Sequence, residues 1–173
     1  MIPDASSPAR IPWRRTSLGY AAESGIEYTD GIVKNRYVGR TFIQPTDEMR
    51  QLGIRLKLNP LPDVIAGKRL VVIDDSIVRG STSRKLVAML RDAGAAEVHL
   101  RITSPEVLWP CFYGIDTATR EQLIAAGMDL SQMNEWIGSD SLAFLSLDGL
   151  REAVSGARYR SFCEACFTGE YPV

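Results

Sequence analysis

The densest group of chemically useful side chains in this 173-residue sequence lies in one segment, VVIDDSIVRGSTS, residues 71–83. Two adjacent carboxylates, Asp74 and Asp75, follow an apolar run, and a turn rich in hydroxyl groups comes shortly after them. Carboxylates in such a place can accept hydrogen bonds from sugar hydroxyls or bind hydrated Mg²⁺. Hydroxyl groups and free backbone N–H groups at the beginning of a helix can hold a phosphate. The pattern therefore indicates a site for a sugar phosphate.

The phosphate-binding part of this segment is a short turn, which we call the phosphate turn: Arg79, Gly80, Ser81, Thr82 and Ser83. Gly80 allows the backbone to approach a ligand closely. The turn lacks the Gly-Lys-Ser/Thr ending of a Walker A loop. The simpler alternative is that Asp75 and Ser76 cap a turn and a hydroxyl caps the helix, with no ligand. We favour the ligand site because acids, a glycine, an arginine and hydroxyls combine at the end of one strand.

Three cysteines, Cys111, Cys163 and Cys166, form the second group of reactive side chains. Their odd number excludes a closed set of disulfides. The spacing of Cys163 and Cys166 suits Zn²⁺ or an iron–sulfur cluster, and redox dithiols share it. Cys111, taken alone, is typical of a small buried hydrophobe. His99 is the sole histidine and alternates with apolar residues, so we interpret it as structural, which disfavours a hydrolase triad.

A strand–helix–strand unit must position the carboxylates and the phosphate turn. Residues 69–73, RLVVI, predict a strand buried on both faces. Residues 81–93 predict a helix with a hydroxyl N-cap, ending at Gly94, and residues 97–103 predict a second strand. Short connections of this kind join parallel strands. The sequence therefore predicts an α/β fold with a mainly parallel sheet flanked by helices.

Weaker patterns predict the remaining elements. These are a helix over residues 17–24 with Thr16 as N-cap, a helix from a cap at Asp116 or Thr117 through Ala126, a short helix capped by Ser131 and ending at Gly138, a strand over 142–147, and a helix over 148–154. Residues 1–15 predict an irregular segment, residues 16–156 the main domain, and residues 157–173 a tail without helical period.

Composition narrows the class of protein. Hydrophobic residues make up 45% and charged residues 24%, which indicates a globular chain rather than a disordered one. The formal net charge is -1, which argues against a nucleic-acid binder. No apolar run is long enough to span a membrane, and residues 1–15 lack the apolar stretch of a signal peptide. We therefore expect a cytoplasmic protein without membrane or nucleic-acid partners.

The segment VVIDDSIVRGSTS resembles the motif with which type I phosphoribosyltransferases bind 5-phosphoribosyl 1-diphosphate (PRPP). Four further stretches extend the resemblance in order: KNRYVGRTFIQP (34–45), PCFYGID (110–116), IGSDSL (137–142) and CEACFTGEYP (163–172). In this combination the chain, from about Gly19 to its end, is similar to the C-terminal phosphoribosyltransferase half of the glutamine PRPP amidotransferase family.

The resemblance implies a role for each matching residue. Asp74 and Asp75 would hold the ribose hydroxyls of PRPP and Mg²⁺. Ser76 would contact PRPP beside them, and the phosphate turn would hold the 5′-phosphate. A flexible loop would close over PRPP and bring four residues to it: Lys34, Arg36, Tyr37 and Arg40. Without the resemblance, this basic stretch is typical of a solvated surface. Ammonia, derived from glutamine in the full-length family, would displace pyrophosphate and give 5-phosphoribosylamine, the first committed step of purine synthesis. No side chain is assigned as acid or base.

The resemblance also gives the cysteines a role. In the cluster-bearing branch of the family, cysteines at the positions of Cys111, Cys163 and Cys166 bind a structural [4Fe-4S] cluster. The fourth ligand lies N-terminal to everything in this chain, so the ligand set here would be incomplete.

The resemblance implies an N-terminally truncated enzyme. The family's glutaminase domain has no counterpart here, and Pro3-Asp4-Ala5-Ser6 would be the remnant of the pyrophosphate loop, with Ser6 near Mg²⁺. We expect use of free ammonia but not of glutamine, and a homo-oligomer in the full-length family. Two alternatives are a non-catalytic PRPP- or nucleotide-binding regulator and a degenerate fragment destabilised by the loss of a strand.

Overall fold

The two adjacent carboxylates lie at the end of the first strand of a three-stranded parallel sheet. The computed structural model describes residues 12–34, 58–114, 119–156 and 162–172. The elements in chain order are α1 (Pro12–Ser24), β1 (Ile32–Lys34), β2 (Leu58–Pro60), α2 (Pro62–Ile65), β3 (Arg69–Asp74), α3 (Ser81–Asp92), β4 (Glu97–Ile102), a 3₁₀ helix (Arg120–Gln122), α4 (Ile124–Gly127), α5 (Leu130–Ile137), β5 (Ser141–Phe144), α6 (Leu147–Ala153) and α7 (Ala165–Thr168).

The parallel sheet has the order β3-β4-β5 and confirms the predicted α/β fold. Strand β3 pairs with β4 from Arg69 opposite Glu97 to Asp74 opposite Ile102, and β4 pairs with β5 from His99 opposite Ser141. The connection from β3 to β4 is α3, as the strand–helix–strand pattern predicts. The carboxyl ends of β3, β4 and β5 therefore lie at one edge of the sheet.

The core lies between one face of this sheet and the helices α3 and α5. Strand β4 alternates, with Val98, Leu100 and Ile102 buried and the residues between them half-buried. These side chains form one cluster with the apolar faces of the two helices: Leu86, Val87 and Leu90 of α3, and Met133 and Ile137 of α5. Burial of these faces fixes both helices on the sheet.

The half-buried side chains of β4 form a polar network across the strands. His99 Nδ1 lies 2.9 Å from Ser141 Oγ on β5, and His99 Nε2 lies 2.9 Å from Glu97 Oε2. Arg69 on β3 donates from Nε to the same Glu97 oxygen at 2.6 Å. This position between strands agrees with the interpretation of His99 as a structural residue.

Helix α3 begins differently from the prediction. Its N-cap is Gly80, with φ +73° and no side-chain capping bond, and not a hydroxyl residue. This left-handed conformation favours glycine. A β-carbon at this position would also lie 2.7 Å from Ile124 Cδ1, so no larger residue fits.

Three further helices depart from their predicted bounds. Helix α1 begins at Pro12, inside the segment expected to be irregular, because proline suits the first turn of a helix. The helix predicted through Ala126 is broken at Leu123 into a 3₁₀ helix and α4, and residues 115–118 lie outside the described residues. Helix α5 is capped by Asp129 and not by Ser131, because Asp129 and Gln132 form a capping box.

The C-terminal elements are shorter than predicted or were not predicted. Strand β5 ends at Phe144 instead of residue 147, because Ser146 caps α6 by accepting a hydrogen bond from Gly149 N at 3.0 Å. The tail contains α7, which the sequence did not predict. In the basic stretch after residue 31, β1 and β2 form a short antiparallel pair. None of the helices in the described ranges is long and apolar enough to cross a membrane.

Candidate sugar-phosphate site at the end of β3

The two carboxylates follow each other where β3 leaves the sheet. Asp74 Oδ1 accepts a hydrogen bond from Asp75 N at 3.0 Å, and Asp75 Oδ1 accepts one from Ser76 N at 2.7 Å. Burial, together with the neighbouring charge of Asp75, raises the pKa of Asp74 to about 6, although the bond from Asp75 N opposes this change. Ionised Asp74 is therefore held at a free-energy cost that a bound cation would relieve.

The phosphate turn presents polar groups that lack partners within the described residues. Ser83 is only 4% exposed, yet its hydroxyl forms no hydrogen bond with the part of the chain that the structure describes. Arg79 is exposed and has no ion pair within the same ranges. A buried hydroxyl without a partner is costly, so it indicates that a ligand or water supplies the acceptor.

The backbone N–H groups at the beginning of α3 add to this set of donors. The first N–H groups of any helix have no partner within the helix, and no side chain among the described residues caps those of α3. The N-terminal end of the helix dipole also favours an anion. The phosphate turn thus combines N–H groups, hydroxyls and a guanidinium, which is the donor set that a phosphate requires.

Two side chains that the sequence did not predict form a wall behind the phosphate turn. A β-carbon built at Gly80 would lie 2.7 Å from Ile124 Cδ1 and 2.8 Å from Trp136 Cζ3. In addition, Ile124 N donates to Val78 O at 2.9 Å, which ties α4 to the chain just before the turn. No sequence signal linked Ile124 or Trp136 to the site, because both are distant from the turn along the chain.

Several predicted site residues lie outside the part that the structure describes: Ser6, Arg36, Tyr37 and Arg40. Lys34 ends β1. The predicted loop over the site, and Ser6 as a metal ligand, therefore remain predictions.

The structure brings the segment containing Cys111 to the tail that contains Cys163 and Cys166. The backbone N–H groups of Leu108 and Trp109 both donate to Cys166 O, at 2.9 and 3.0 Å. Tyr171 Oη donates to Pro110 O at 2.7 Å, and the hydroxyl of Tyr113 donates to Pro172 O. The two segments that carry the three thiols are thus joined.

The three thiols lie close enough to influence one another. Burial raises the pKa of Cys166, and the neighbouring Cys163 and Cys111 raise it further. The same three thiols act on Tyr171, whose pKa is raised chiefly by burial. Within the described ranges, no three His, Cys, Asp or Glu side chains meet in the geometry of a metal site. Three neighbouring thiols are chemically suited to bind an iron–sulfur cluster. Within the described residues, however, their side chains are not arranged as a metal site.

Comparison with known proteins finds relatives that share more than half of this chain's residues. No protein-family model matches the chain. It is 59% identical over 172 residues to the amidophosphoribosyltransferase of Synechococcus elongatus and 51% identical over 175 residues to that of Bacillus subtilis, in each case over 99% of this chain. The chain spans 33% and 35% of the lengths of these two relatives.

A solved structure of the same kind of enzyme matches this chain in fold. Glutamine PRPP amidotransferase from B. subtilis, complexed with ADP and GMP, matches with a TM-score of 0.76 and 53% identity. The match covers 90% of this chain and 35% of that one. At this identity the likeness extends to sequence as well as to fold.

Proposed function

We propose a function on the premise that this chain is homologous to the phosphoribosyltransferase region of amidophosphoribosyltransferases. The chain binds PRPP at the end of β3 and transfers its phosphoribosyl group to ammonia, which gives 5-phosphoribosylamine and pyrophosphate. The observation that carries this proposal is the set of unmatched polar groups that follows β3, above all the buried hydroxyl of Ser83.

The 5′-phosphate of PRPP would take the phosphate turn. Its oxygens are acceptors for the N–H groups at the beginning of α3 and for the hydroxyls of Ser81, Thr82 and Ser83. Arg79 supplies a positive charge from an exposed position. Binding of a phosphate would therefore satisfy the buried hydroxyl that has no partner in the described chain.

The ribose and Mg²⁺ would take the carboxylates. Asp74 and Asp75 are acceptors for the ribose hydroxyls, and their oxygens are the ligands that Mg²⁺ prefers. Mg²⁺, when bound, would neutralise charge on the departing pyrophosphate. Because the pKa of Asp74 is about 6, its carboxylate forms as the pH rises through 6, so binding of PRPP with Mg²⁺ should tighten between pH 5 and pH 7.

The protein would contribute orientation and charge rather than a covalent step. With PRPP bound as proposed, both carboxylates would lie where positive charge develops on the ribose ring as pyrophosphate departs. We expect the basic loop, with Lys34, Arg36, Tyr37 and Arg40, to close over PRPP and exclude water. Water would otherwise compete with ammonia for the anomeric carbon.

The cysteines would hold a structural [4Fe-4S] cluster. Cys111, Cys163 and Cys166 would supply three ligands, and the fourth would come from outside this chain. Support comes from the hydrogen bonds that join the two segments and from the effect of Cys111 and Cys163 on the pKa of Cys166. Removing Cys163 should abolish incorporation of iron and sulfide, measured as iron per chain after anaerobic reconstitution.

Titration with PRPP and Mg²⁺, followed by thermal unfolding, tests the main proposal. Binding to the folded state must raise the unfolding midpoint. The double variant Asp74→Asn, Asp75→Asn should lose that rise, whereas Asp92→Asn, an exposed carboxylate at the far end of α3, should keep it. Release of pyrophosphate with ammonium as acceptor then measures the transfer.

Two results would contradict the proposal. The absence of any rise in midpoint at millimolar PRPP would exclude a PRPP site in this chain. Binding without release of pyrophosphate would exclude the transfer reaction and favour a non-catalytic binding role.

A further inference from the structure

We propose that Trp136 is a positioning residue for the phosphate turn, acting through Gly80 and Arg84 without touching the ligand. The inference rests on the proposed function, because it assigns a role in holding the 5′-phosphate of PRPP. Trp136 lies on α5, 56 positions after Gly80, and belongs to none of the stretches that carry the family resemblance.

The first contact is between the indole and the backbone of Gly80. Gly80 is buried, and a β-carbon there would lie 2.8 Å from Trp136 Cζ3. The indole therefore packs directly on the residue that begins α3. Because Gly80 sits at φ +73°, a small change in its backbone would tilt the N–H groups of the three residues that follow it.

The second contact is between the same indole and Arg84. The Arg84 guanidinium carbon lies 5.0 Å from the centroid of the Trp136 ring, which is a cation–π distance. Arg84 N also donates to Gly80 O at 2.9 Å. One rigid side chain thus contacts both ends of the first turn of α3, whose N–H groups would face the phosphate.

Helix α5 holds Trp136 in place independently of the turn. The capping box of Asp129 and Gln132 fixes its beginning, and Met133 and Ile137 are buried in the main core. Trp136 itself is half-buried and lies beside this core. Loss of the indole should therefore leave α5 folded while it removes the support behind Gly80.

The first test compares tryptophan variants by calorimetric titration with ribose 5-phosphate and with PRPP and Mg²⁺. Trp136→Leu should weaken binding of both ligands about tenfold or more, because a displaced turn misplaces several donors at once. Trp136→Phe keeps an aromatic ring and should restore most of the affinity. Trp109→Leu, the matched control, removes the indole that packs on the tail and should leave both affinities unchanged.

A kinetic readout separates positioning from loss of structure. Trp136→Leu should raise KM for PRPP while kcat per folded molecule stays within about twofold, as expected when binding alone is weakened. A fluorescence measurement tests the role of Trp136 without the Trp136→Leu variant. In the double variant Trp13→Phe, Trp109→Phe, Trp136 is the sole tryptophan, and ribose 5-phosphate should shift its emission.

The possible results distinguish this inference from the proposed function. If the unmodified chain binds neither ligand, the proposed function fails. If it binds both, and a folded Trp136→Leu binds them equally well, the positioning role is overturned. If Trp136→Leu does not fold, an unchanged Trp136 emission on binding ribose 5-phosphate overturns it as well.

Discussion

The phosphate turn and the C-terminal tail share one packing arrangement but differ in whether their polar groups are satisfied. In each, a glycine with positive φ packs against an indole that also contacts an arginine. At the turn these are Gly80, Trp136 and Arg84; in the tail they are Gly169, Trp109 and Arg120. A β-carbon at Gly169 would lie 2.7 Å from Trp109 Cε2, and the Arg120 guanidinium carbon lies 4.0 Å from the Trp109 centroid.

The two regions differ in how their polar groups are satisfied. In the tail, Cys166 O accepts two backbone bonds, Tyr171 donates to Pro110 O, and Arg151 binds both oxygens of Glu164. At the turn, the Ser83 hydroxyl lacks a partner within the described residues, and at the end of β3 just before the turn burial raises the pKa of Asp74. Similar packing therefore supports a closed structural region in the tail and an open binding site at the turn.

The largest effect should come from Gly80→Ala. The new methyl group would collide with Ile124 and Trp136 and force a strained backbone. We expect a loss of about 2–4 kcal/mol in the free energy of unfolding, and a loss of PRPP affinity of about a hundredfold in the fraction that folds. Chemical denaturation and calorimetric titration measure the two effects. Unchanged affinity would show that the turn does not bind the phosphate.

Gly169→Ala should affect the stability of the tail without affecting PRPP binding at the turn. The same kind of collision, with Trp109, should destabilise the tail by about 2 kcal/mol. Hydrogen exchange should increase at Leu108 and Trp109, whose N–H groups bind Cys166 O. PRPP affinity should stay the same. A fall in affinity equal to that of Gly80→Ala would remove the distinction between the two regions.

Asp74→Asn should show how much the ionised Asp74 carboxylate lowers the free energy of unfolding. The pKa of Asp74 is about 6 in the folded chain against an ordinary value of 3.8, so the folded state binds the proton more tightly. Stability should therefore fall as the pH rises from about 4 to about 6, and stay constant above that. The variant lacks this loss, so it should match the unmodified chain near pH 4 and be more stable by about 3 kcal/mol at pH 7.

Urea denaturation at several pH values measures this difference. Asp92→Asn serves as the comparison, because Asp92 is an exposed carboxylate at the far end of α3. A variant at position 74 that is equally stable, or less stable, at pH 7 would show that the carboxylate is not held at a cost.

The smallest effects should come from the two stacked arginines. Arg84→Lys and Arg120→Lys keep the charge and lose the planar guanidinium, so each should lower the free energy of unfolding by about 0.5 kcal/mol. Arg84→Lys should also weaken binding of ribose 5-phosphate measurably, and Arg120→Lys should not. Equal affinities for the two variants would argue against a link between the Trp136 stack and the turn.

Local sequence was sufficient to predict the β3–α3–β4 unit and the two carboxylates, because an apolar strand, a turn and an amphipathic helix are each encoded by adjacent residues. It was insufficient wherever one segment depends on another. The N-cap at Gly80 follows from the side chains of Ile124 and Trp136, which are distant in sequence. Helix α7 has one turn, too short for a periodic signal, and is held by bonds to the segment that contains Leu108.

The wall behind Gly80 limits how the phosphate turn could be transplanted into another scaffold. A graft of residues 69–92 would carry the two carboxylates and the whole phosphate turn. It would lack the bond from Ile124 N to Val78 O and the indole of Trp136, both of which hold the turn from behind. The smallest portable unit would therefore extend through α4 and α5 to the end of β5, where the chain returns to the sheet.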